Sequence, residues 1–405
     1  MMPPAKKQLP PPRPPGGPRL LFAATTDLVH DQRMQRICSS LQNAGYQVEL
    51  VGWARPASGP LPAQSYRQHR LRGWFQAGKL FYLEYNLRLL LYLLGRRADA
   101  WCAVDLDTAL PVWLRARLGG QPLVYDAHEL FTETPEVVGR PAVQRAWRWV
   151  EGFVVPRARL AYTVGPALAR VFEERHGRPF AVVRNASRPG PPAAVAPGPG
   201  APAETRAPAE TEEAGGPGGY VLYQGVLNVG RGLEALLDAM PRVRGRLVLC
   251  GEGDCSAALR ARAQRLGLLA SGQVEFRGYV RPEALRAVTA RAAVGVMLLE
   301  NRGLSYYYSL ANKFFDYVHA GIPQVLIDFP EYQALNEAHD VAELVPDLEP
   351  GALAAALNRL LPGGDAARAR QLAANCRRAA PHLSWAHEEK VLLALYADLF
   401  RGPGL

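Results

Sequence analysis

The chain has 405 residues, is 48% hydrophobic and 21% charged, and carries a net charge of +10. That describes a globular protein of two or three domains with a leaning toward anionic partners such as nucleotides, phosphorylated lipids or an anionic membrane face. Five scattered cysteines, odd in number and never spaced Cys-x-x-Cys, exclude a disulfide framework or zinc ribbon and fit a reducing, cytoplasmic compartment.

Residues 1–18 are Pro-rich with no apolar core, so a disordered leader is expected rather than a signal peptide. Arg19 to Ala24 reads as a strand, Thr25 to Arg33 as a polar loop, and Met34, Ile37, Cys38 and Leu41 as the stripe of a helix that ends at Gly45. A second strand follows from Tyr46 to Gly52. This β-loop-α-β opening predicts a doubly wound domain whose first loop, with Asp27, His30, Asp31 and Arg33, lies at a strand's carboxyl end, where such folds bind ligands. No Gly-x-Gly-x-x-Gly accompanies it, which disfavours a dinucleotide.

Residues 79–94 are helical and very apolar, interrupted by three polar residues and followed by Arg96-Arg97. No run of about 20 apolar residues exists, so nothing spans a bilayer. A buried core helix is the expectation here. A helix lying on an anionic membrane, peripheral at the inner face, is the alternative.

Asp99 to Val104 predicts a strand that delivers Asp105 and Asp107. Pro122 to Tyr125 predicts the next, which delivers Asp126, His128 and Glu129. Three successive strands thus present ionisable groups at one edge, a convergence that suits a binding cleft. Trp147, Trp149, Phe153 and Val154 read as a core-facing helix side, and Leu160 to Val164 and Phe180 to Val183 as later strands. Residues 187–219 then turn to Pro, Ala, Gly and Glu, a composition that cannot bury a core, and read as a linker or insertion. The first domain is placed at 19–186.

The second domain, 220–380, begins with a strand, Tyr220 to Gly225, that runs into a loop with Arg231 and Gly232. Further strands from Arg246, Val274 and Ala293 bring Gly251-Glu252-Gly253, Gly278-Tyr279-Val280 and Glu300 to their ends. Glycine at such ends permits close backbone approach by a ligand. The stretch Ser309 to Val325 reads as loop, helix, Gly-Pro turn and strand, with Asn312 and Lys313 in the first helical turn and Asp316 one turn on. A helix start past a strand's carboxyl end suits phosphate. The terminal helix in residues 381–405 is expected to pack across to the first domain.

Taken together, Tyr125 to Glu129, Tyr223 to Leu233, Gly251 to Gly253, Phe276 to Val280, and Ser309 to Phe315 with Ala320 to Pro323 resemble, in order and spacing, the motifs of retaining glycosyltransferases of family 4, also called group 1. The resemblance covers about residues 19–190 and 219–400. It implies the GT-B fold, two doubly wound Rossmann-like domains facing each other across a cleft, and transfer of a sugar from a UDP- or GDP-sugar to a lipid-linked or polysaccharide acceptor. It implies retention of configuration, no cofactor and no metal; the Asp105-Leu106-Asp107 spelling lies in the acceptor half and is read as structural or acceptor-binding.

By the resemblance, Arg231 and Lys313 hold the donor diphosphate, and Asp316 the ribose. Gly225, Gly251, Gly253 and Asn312 line the donor, Gly278, Tyr279 and Val280 meet the base, and His128 lies near the transferred sugar. Asp27, His30, Asp31, Arg33, Asp105, Asp107, Asp126 and Glu129 form the acceptor side. Three departures from the pattern involve four positions: Tyr308 and Asp316 where two Glu residues are usual, Val226 for an Arg, and Ala311 for a Pro. Glu300 or Asn301, in the loop before, is the expected substitute for the first acid. The departures keep two alternatives open, a catalytically silent nucleotide- or glycan-binding scaffold and a sugar-nucleotide epimerase. Nucleic acid, without a recognised module, is not expected as a partner.

Overall fold

The computed structural model describes residues 16–29, 31–188 and 219–401. The expected leader up to residue 15, most of the 187–219 linker, and His30 lie outside the described residues. The chain divides into two compact units, taken in turn.

The first unit holds a seven-stranded sheet in the order β3-β2-β1-β4-β5-β6-β7, every pair parallel. Its strands are β1 (Arg19–Ala23), β2 (Gln47–Trp53), β3 (Arg67–Leu71), β4 (Ala100–Val104), β5 (Leu123–Ala127), β6 (Leu160–Thr163) and β7 (Ala181–Val182). The central β4 and β5, Ala-Trp-Cys-Ala-Val and Leu-Val-Tyr-Asp-Ala, are buried throughout, as a parallel sheet covered on both faces requires. The edge strand β3 reads Arg-Gln-His-Arg-Leu, with no apolar alternation to announce it. Pairing with β2 makes it a strand, and its charge suits an edge.

Successive residues of β1 face opposite sides. Leu21 and Ala23 join a core with Tyr85, Leu89, Val112 and Phe172. Leu20 and Phe22 join another with Met34, Ile37 and Leu41, where the terminal helix Trp385–Leu399 adds Trp385, Leu392 and Tyr396. That helix belongs to the first unit: Trp385 Nε1 donates to Ser40 Oγ at 2.9 Å, and the Tyr396 hydroxyl lies 3.3 Å from that of Tyr162. The first unit also takes the segment Gly303–Ser309, which the sequence reading assigned to the second domain. Tyr308 there packs against the first unit's core.

Two helices differ from expectation. Gly78–Leu94 buries Phe81, Tyr85, Leu89 and Leu93 only, so it is a half-covered helix and not a core helix. In Pro141–Val154, Val154 is buried but Trp149 is exposed, so that aromatic run is split between core and surface.

The second unit holds six parallel strands in the order β10-β9-β8-β11-β12-β13. They are β8 (Val221–Gln224), β9 (Leu247–Cys250), β10 (Val274–Gly278), β11 (Val294–Met297), β12 (Gln324–Ile327) and β13 (Ala342–Val345). The helix Asn312–Ala320 buries Phe314, Phe315, Tyr317 and Val318. Tyr317 lies where any side chain on Gly295 of β11 would stand, and its hydroxyl donates to the Leu222 carbonyl of β8 at 3.1 Å. Gly321 closes the helix at φ +70°, and the Ile322 N–H returns to the Tyr317 carbonyl at 3.2 Å. That turn fixes where the helix starts relative to β11 and β12.

Candidate functional site

Each unit gathers polar groups at the carboxyl ends of its strands, and the two sets differ in kind. In the first unit the centre is His128, just past β5. Its Nε2 lies 3.2 Å from Asp126 Oδ2 and its Nδ1 3.6 Å from Asp105 Oδ2. Its backbone N–H donates to Asp105 Oδ1 at 2.8 Å. Burial pulls the imidazole toward neutrality, but Asp105 and then Asp126 outweigh it and raise its pKa to about 9, so the ring is a cation at neutral pH. Asp105 achieves this reach from a backbone φ of +56°, a conformation that Asp tolerates better than most residues but that still stores strain. Burial raises its carboxyl to about 7, opposed by His128.

Beneath His128, Asp126 and Arg33 form a sealed pair. Arg33 Nη2 donates to Asp126 Oδ1 at 2.7 Å and Nε to Oδ2 at 3.3 Å, with both side chains almost wholly out of solvent. Arg33 Nη1 also donates to the Val183 carbonyl. Burial works against the Asp126 carboxylate, yet Arg33 and His128 hold its pKa below the usual value. The sequence places both residues among those lining the cleft. The structure makes them the floor under His128.

Asp27 and Asp31 also have local tasks. Asp27 accepts from Val29 N–H and Ser58 Oγ. Asp31 caps the helix Gln32–Asn43 by accepting from Met34 N–H at 3.0 Å, and accepts from Thr26 Oγ1 at 2.9 Å. Asp107 accepts from Thr25 Oγ1 at 2.7 Å, and burial raises its pKa to about 6. Glu129 accepts from Ser305 Oγ at 3.3 Å, a partner supplied by the Gly303–Ser309 segment.

In the second unit the centre is Lys313. Its Nζ stands 3.7 Å above the Tyr223 ring centroid, a cation–π contact, and 3.1 Å from where a side chain on Gly225 would begin. Loss of solvent, and then the nearby Arg231, push its pKa well below the usual lysine value, while Asp316 opposes them. Two cations held close and partly desolvated gain from an anion placed between them. Asp316 is oriented by Gln224, whose Nε2 donates to Oδ2 at 3.0 Å while its Oε1 accepts from Thr289 Oγ1 at 2.7 Å. Ala311, where a Pro is expected, donates its N–H to the Tyr332 hydroxyl at 3.2 Å.

The glycine loops stack side by side. Gly225 N–H donates to Cys250 O and Gly251 N–H to Gly278 O. Gly251, at φ +143°, has the Gly225 carbonyl 1.9 Å from the place of a Cβ. Its missing side chain therefore admits the neighbouring loop. Gly253 is likewise crowded, by Asn228 and the Leu227 carbonyl. Tyr279 is exposed and Val280 half-buried. Asn312 is half-buried in the first turn, and Glu300 accepts from Arg302 Nε.

The structure brings Lys313, Arg231, Asp316 and Gly225 together in the second unit and His128, Asp105 and Asp126 in the first. Tyr308 and Asp316, the positions where an acidic pair is usual, fall in different units. Of the residues that carry these sites, Thr289 is not marked by the sequence at all, while Thr25, Tyr223 and Gln224 stand in a loop or motif without a task of their own. Gln224 is the traceable one, since a polar residue closing the apolar strand Val-Leu-Tyr-Gln needs a buried partner.

Comparison with known proteins agrees with this division. Residues 218–362 match the family model described as glycosyl transferases group 1, and residues 30–187 the one described as glycosyl transferase 4-like domain. No curated protein matches the sequence. Among solved structures, sucrose-phosphate synthase from Thermosynechococcus elongatus superposes with a TM-score of 0.75 at 17% identity, covering 95% of this chain and 99% of that one. HepE of Anabaena, in complex with UDP and glucose, gives 0.70 at 15% identity, covering 95% and 100%. WaaG, described as a glycosyltransferase involved in lipopolysaccharide biosynthesis, gives 0.66 at 14%, covering 93% and 99%. At these identities the likeness is one of fold, with two Rossmann-like domains of the GT-B type.

Proposed function

We propose that this chain, a glycosyltransferase that joins a 4-like half to a group 1 half, transfers a sugar from a UDP- or GDP-sugar to a lipid-linked or polysaccharide acceptor, with retention and without a metal. The observation that carries the reading is Lys313: a half-buried ammonium over Tyr223, pushed down by burial and by Arg231, is a group that gains from a diphosphate. UDP is the first nucleotide to test, because HepE of Anabaena is described in complex with UDP and with UDP-glucose.

On this reading the donor diphosphate lies against Arg231 and Lys313, which stabilise the negative charge that grows on the leaving group. Asp316, steadied by Gln224, accepts from the ribose. The acceptor hydroxyl attacks the anomeric carbon from the face on which the diphosphate departs. The bond from that carbon to the diphosphate oxygen breaks as the new glycosidic bond forms, and the hydroxyl proton passes to the departing phosphate. No protein nucleophile is needed. His128, held as a cation by Asp105 and Asp126, donates to a sugar hydroxyl. Five free, buried cysteines support a cytoplasmic, reducing setting.

The test is a panel of nucleotide sugars, with donor hydrolysis and nucleotide-dependent thermal stabilisation as readouts. Stabilisation by UDP or GDP together with hydrolysis of one donor is the expected result. Stabilisation without turnover of any donor would favour the silent scaffold, and no response to nucleotides would overturn both.

A further inference from the structure

The helix Gly78–Leu94 is apolar on two opposite faces. Phe81, Tyr85, Leu89 and Leu93 are buried against the sheet. On the other side Leu80, Leu83, Leu87, Leu91 and Leu94 are all at least half exposed, Leu83 at 68% and Leu91 at 62%. Their spacing of three, four, four and three residues keeps them within roughly 80° of one another at 100° per residue. A stripe of that length on a surface helix needs an explanation that a scatter of single leucines would not.

The surroundings of the stripe say what covers it. At its amino end stands Trp74, 83% exposed, on a loop that is firmly tied. Glu84, the helix's one carboxylate, accepts from the N–H groups of Trp74 and Phe75 at 2.9 Å and from Arg88 Nε at 2.8 Å. Arg88 in turn lies 4.8 Å from the Trp74 ring. The tryptophan is thus held out in solvent by a built network. Lys79 lies at the same end, and Arg96 and Arg97, both exposed, follow the other. On the neighbouring helices, Leu106–Gly119 and Pro141–Val154, the acids Asp107 and Glu151 are buried while Arg117, Arg145 and Arg148 are exposed.

We propose that this face docks the protein onto an anionic phospholipid bilayer, with the helix lying in the membrane interface. Leucines enter the acyl boundary, Trp74 sits at headgroup level, and the basic residues meet lipid phosphates. A helix of 17 residues is about 25 Å long, short of the roughly 30 Å hydrocarbon thickness. No helix among the described residues is long and apolar enough to cross a membrane, so this one lies on it. A second copy would fit poorly, because pairing the face with itself would set arginines against arginines. The helix also touches the first unit's strand ends: Tyr85 Oη donates to Ala24 O at 2.8 Å and Asn86 Nδ2 to Asp107 O at 3.1 Å. If the acceptor is lipid-linked as proposed above, the surface that meets lipid is built on the helix that braces the acceptor side.

The test is flotation of the full chain with phosphatidylcholine vesicles, with and without phosphatidylglycerol, and needs no nucleotide. Its failure is therefore distinguishable from failure of the donor reading. Binding to the anionic vesicles that weakens with salt is expected. A Leu83→Asp/Leu87→Asp variant should bind more than about tenfold less, with an unchanged melting temperature and unchanged response to UDP. Arg96→Ala/Arg97→Ala should lose affinity on anionic vesicles alone. Wild type that ignores anionic vesicles, or a leucine variant that floats as wild type does, would overturn the proposal. So would a dimer in sedimentation that the leucine substitutions split, since the face would then belong to a second copy.

Discussion

The two units share one strand order, counted within each as 3-2-1-4-5-6 with a seventh strand added in the first, yet their carboxyl edges carry opposite chemistry. The first sets Asp105, Asp107 and Asp126 around one histidine and makes it a cation. The second sets Lys313 beside Arg231 and Tyr223 and drives its lysine toward neutrality. Topology only brings strand ends together; the residues in the loops and helix starts that follow decide which charges gather there. In the first edge Arg33 and His128 are matched by Asp126 and Asp105, while Asp107 Oδ1 is buried without a hydrogen-bond partner. The second sets Lys313 between Arg231, which lowers its pKa, and Asp316, which raises it.

The largest effect should come from breaking the buried Arg33–Asp126 pair of the first edge. Asp126→Ala strands the buried Arg33 and is expected to destabilise the protein by about 3–5 kcal/mol, seen as a large fall in melting temperature by calorimetry. An unchanged melting temperature would mean that the pair carries no structural weight. Lys313→Ala should do the reverse. Removing a partly desolvated charge should leave the unliganded protein as stable as before or slightly more so, while UDP affinity by isothermal titration falls roughly 10–100-fold, the worth of a hydrogen bond to a charged group. Were its unliganded stability to fall as far as that of Asp126→Ala, the contrast between the edges would collapse.

The pH responses should differ in sign. His128 titrates in the fold near 9 against 6.5 unfolded, so its contribution is fully present below about pH 6.5 and is lost as pH rises through 9. Asp105, raised from 3.8 to about 7 by burial, also makes the folded state hold the extra proton and adds to the same downward trend, earlier in pH. Lys313, lowered by burial and Arg231, holds fewer protons folded than unfolded, so its contribution improves as pH rises toward the usual lysine range. His128→Asn should flatten the alkaline fall in stability above pH 6.5, and Lys313→Ala should steepen it. Chemical denaturation along a pH series measures both. The smallest effect expected is Asp31→Ala, about 1 kcal/mol for a lost helix cap with donor turnover unchanged. A loss of turnover larger than the loss of stability would return Asp31 to the acceptor side.

Much of the second edge was legible in order along the chain. Gly225, Gly251 and Gly278 lie at strand ends that an apolar run and a following polar turn announce, because parallel central strands are buried on both faces, and Arg231 and Lys313 lie in the loop and helix start that follow β8 and β11. The first edge was legible in which residues it gathers but not in their tasks. Asp27, Asp31, Arg33 and Asp126 look alike in sequence, and only their partners separate a turn, a cap and a buried ion pair from a group that meets solvent.

By itself the sequence determined the two doubly wound halves, the strand ends where polar residues collect, and the place of Lys313 in the first turn of a helix, because each depends on residues adjacent in the chain. Tertiary structure alone decided the rest. Arg33 found Asp126 across 93 positions. Gly303–Ser309 and Trp385–Leu399 joined the first unit from far along the chain. The helix Gly78–Leu94, apolar on two opposite faces, buried one and left the other exposed. A helix with two apolar faces does not reveal from its own periodicity which of them is covered. Only the elements packed against it make that choice.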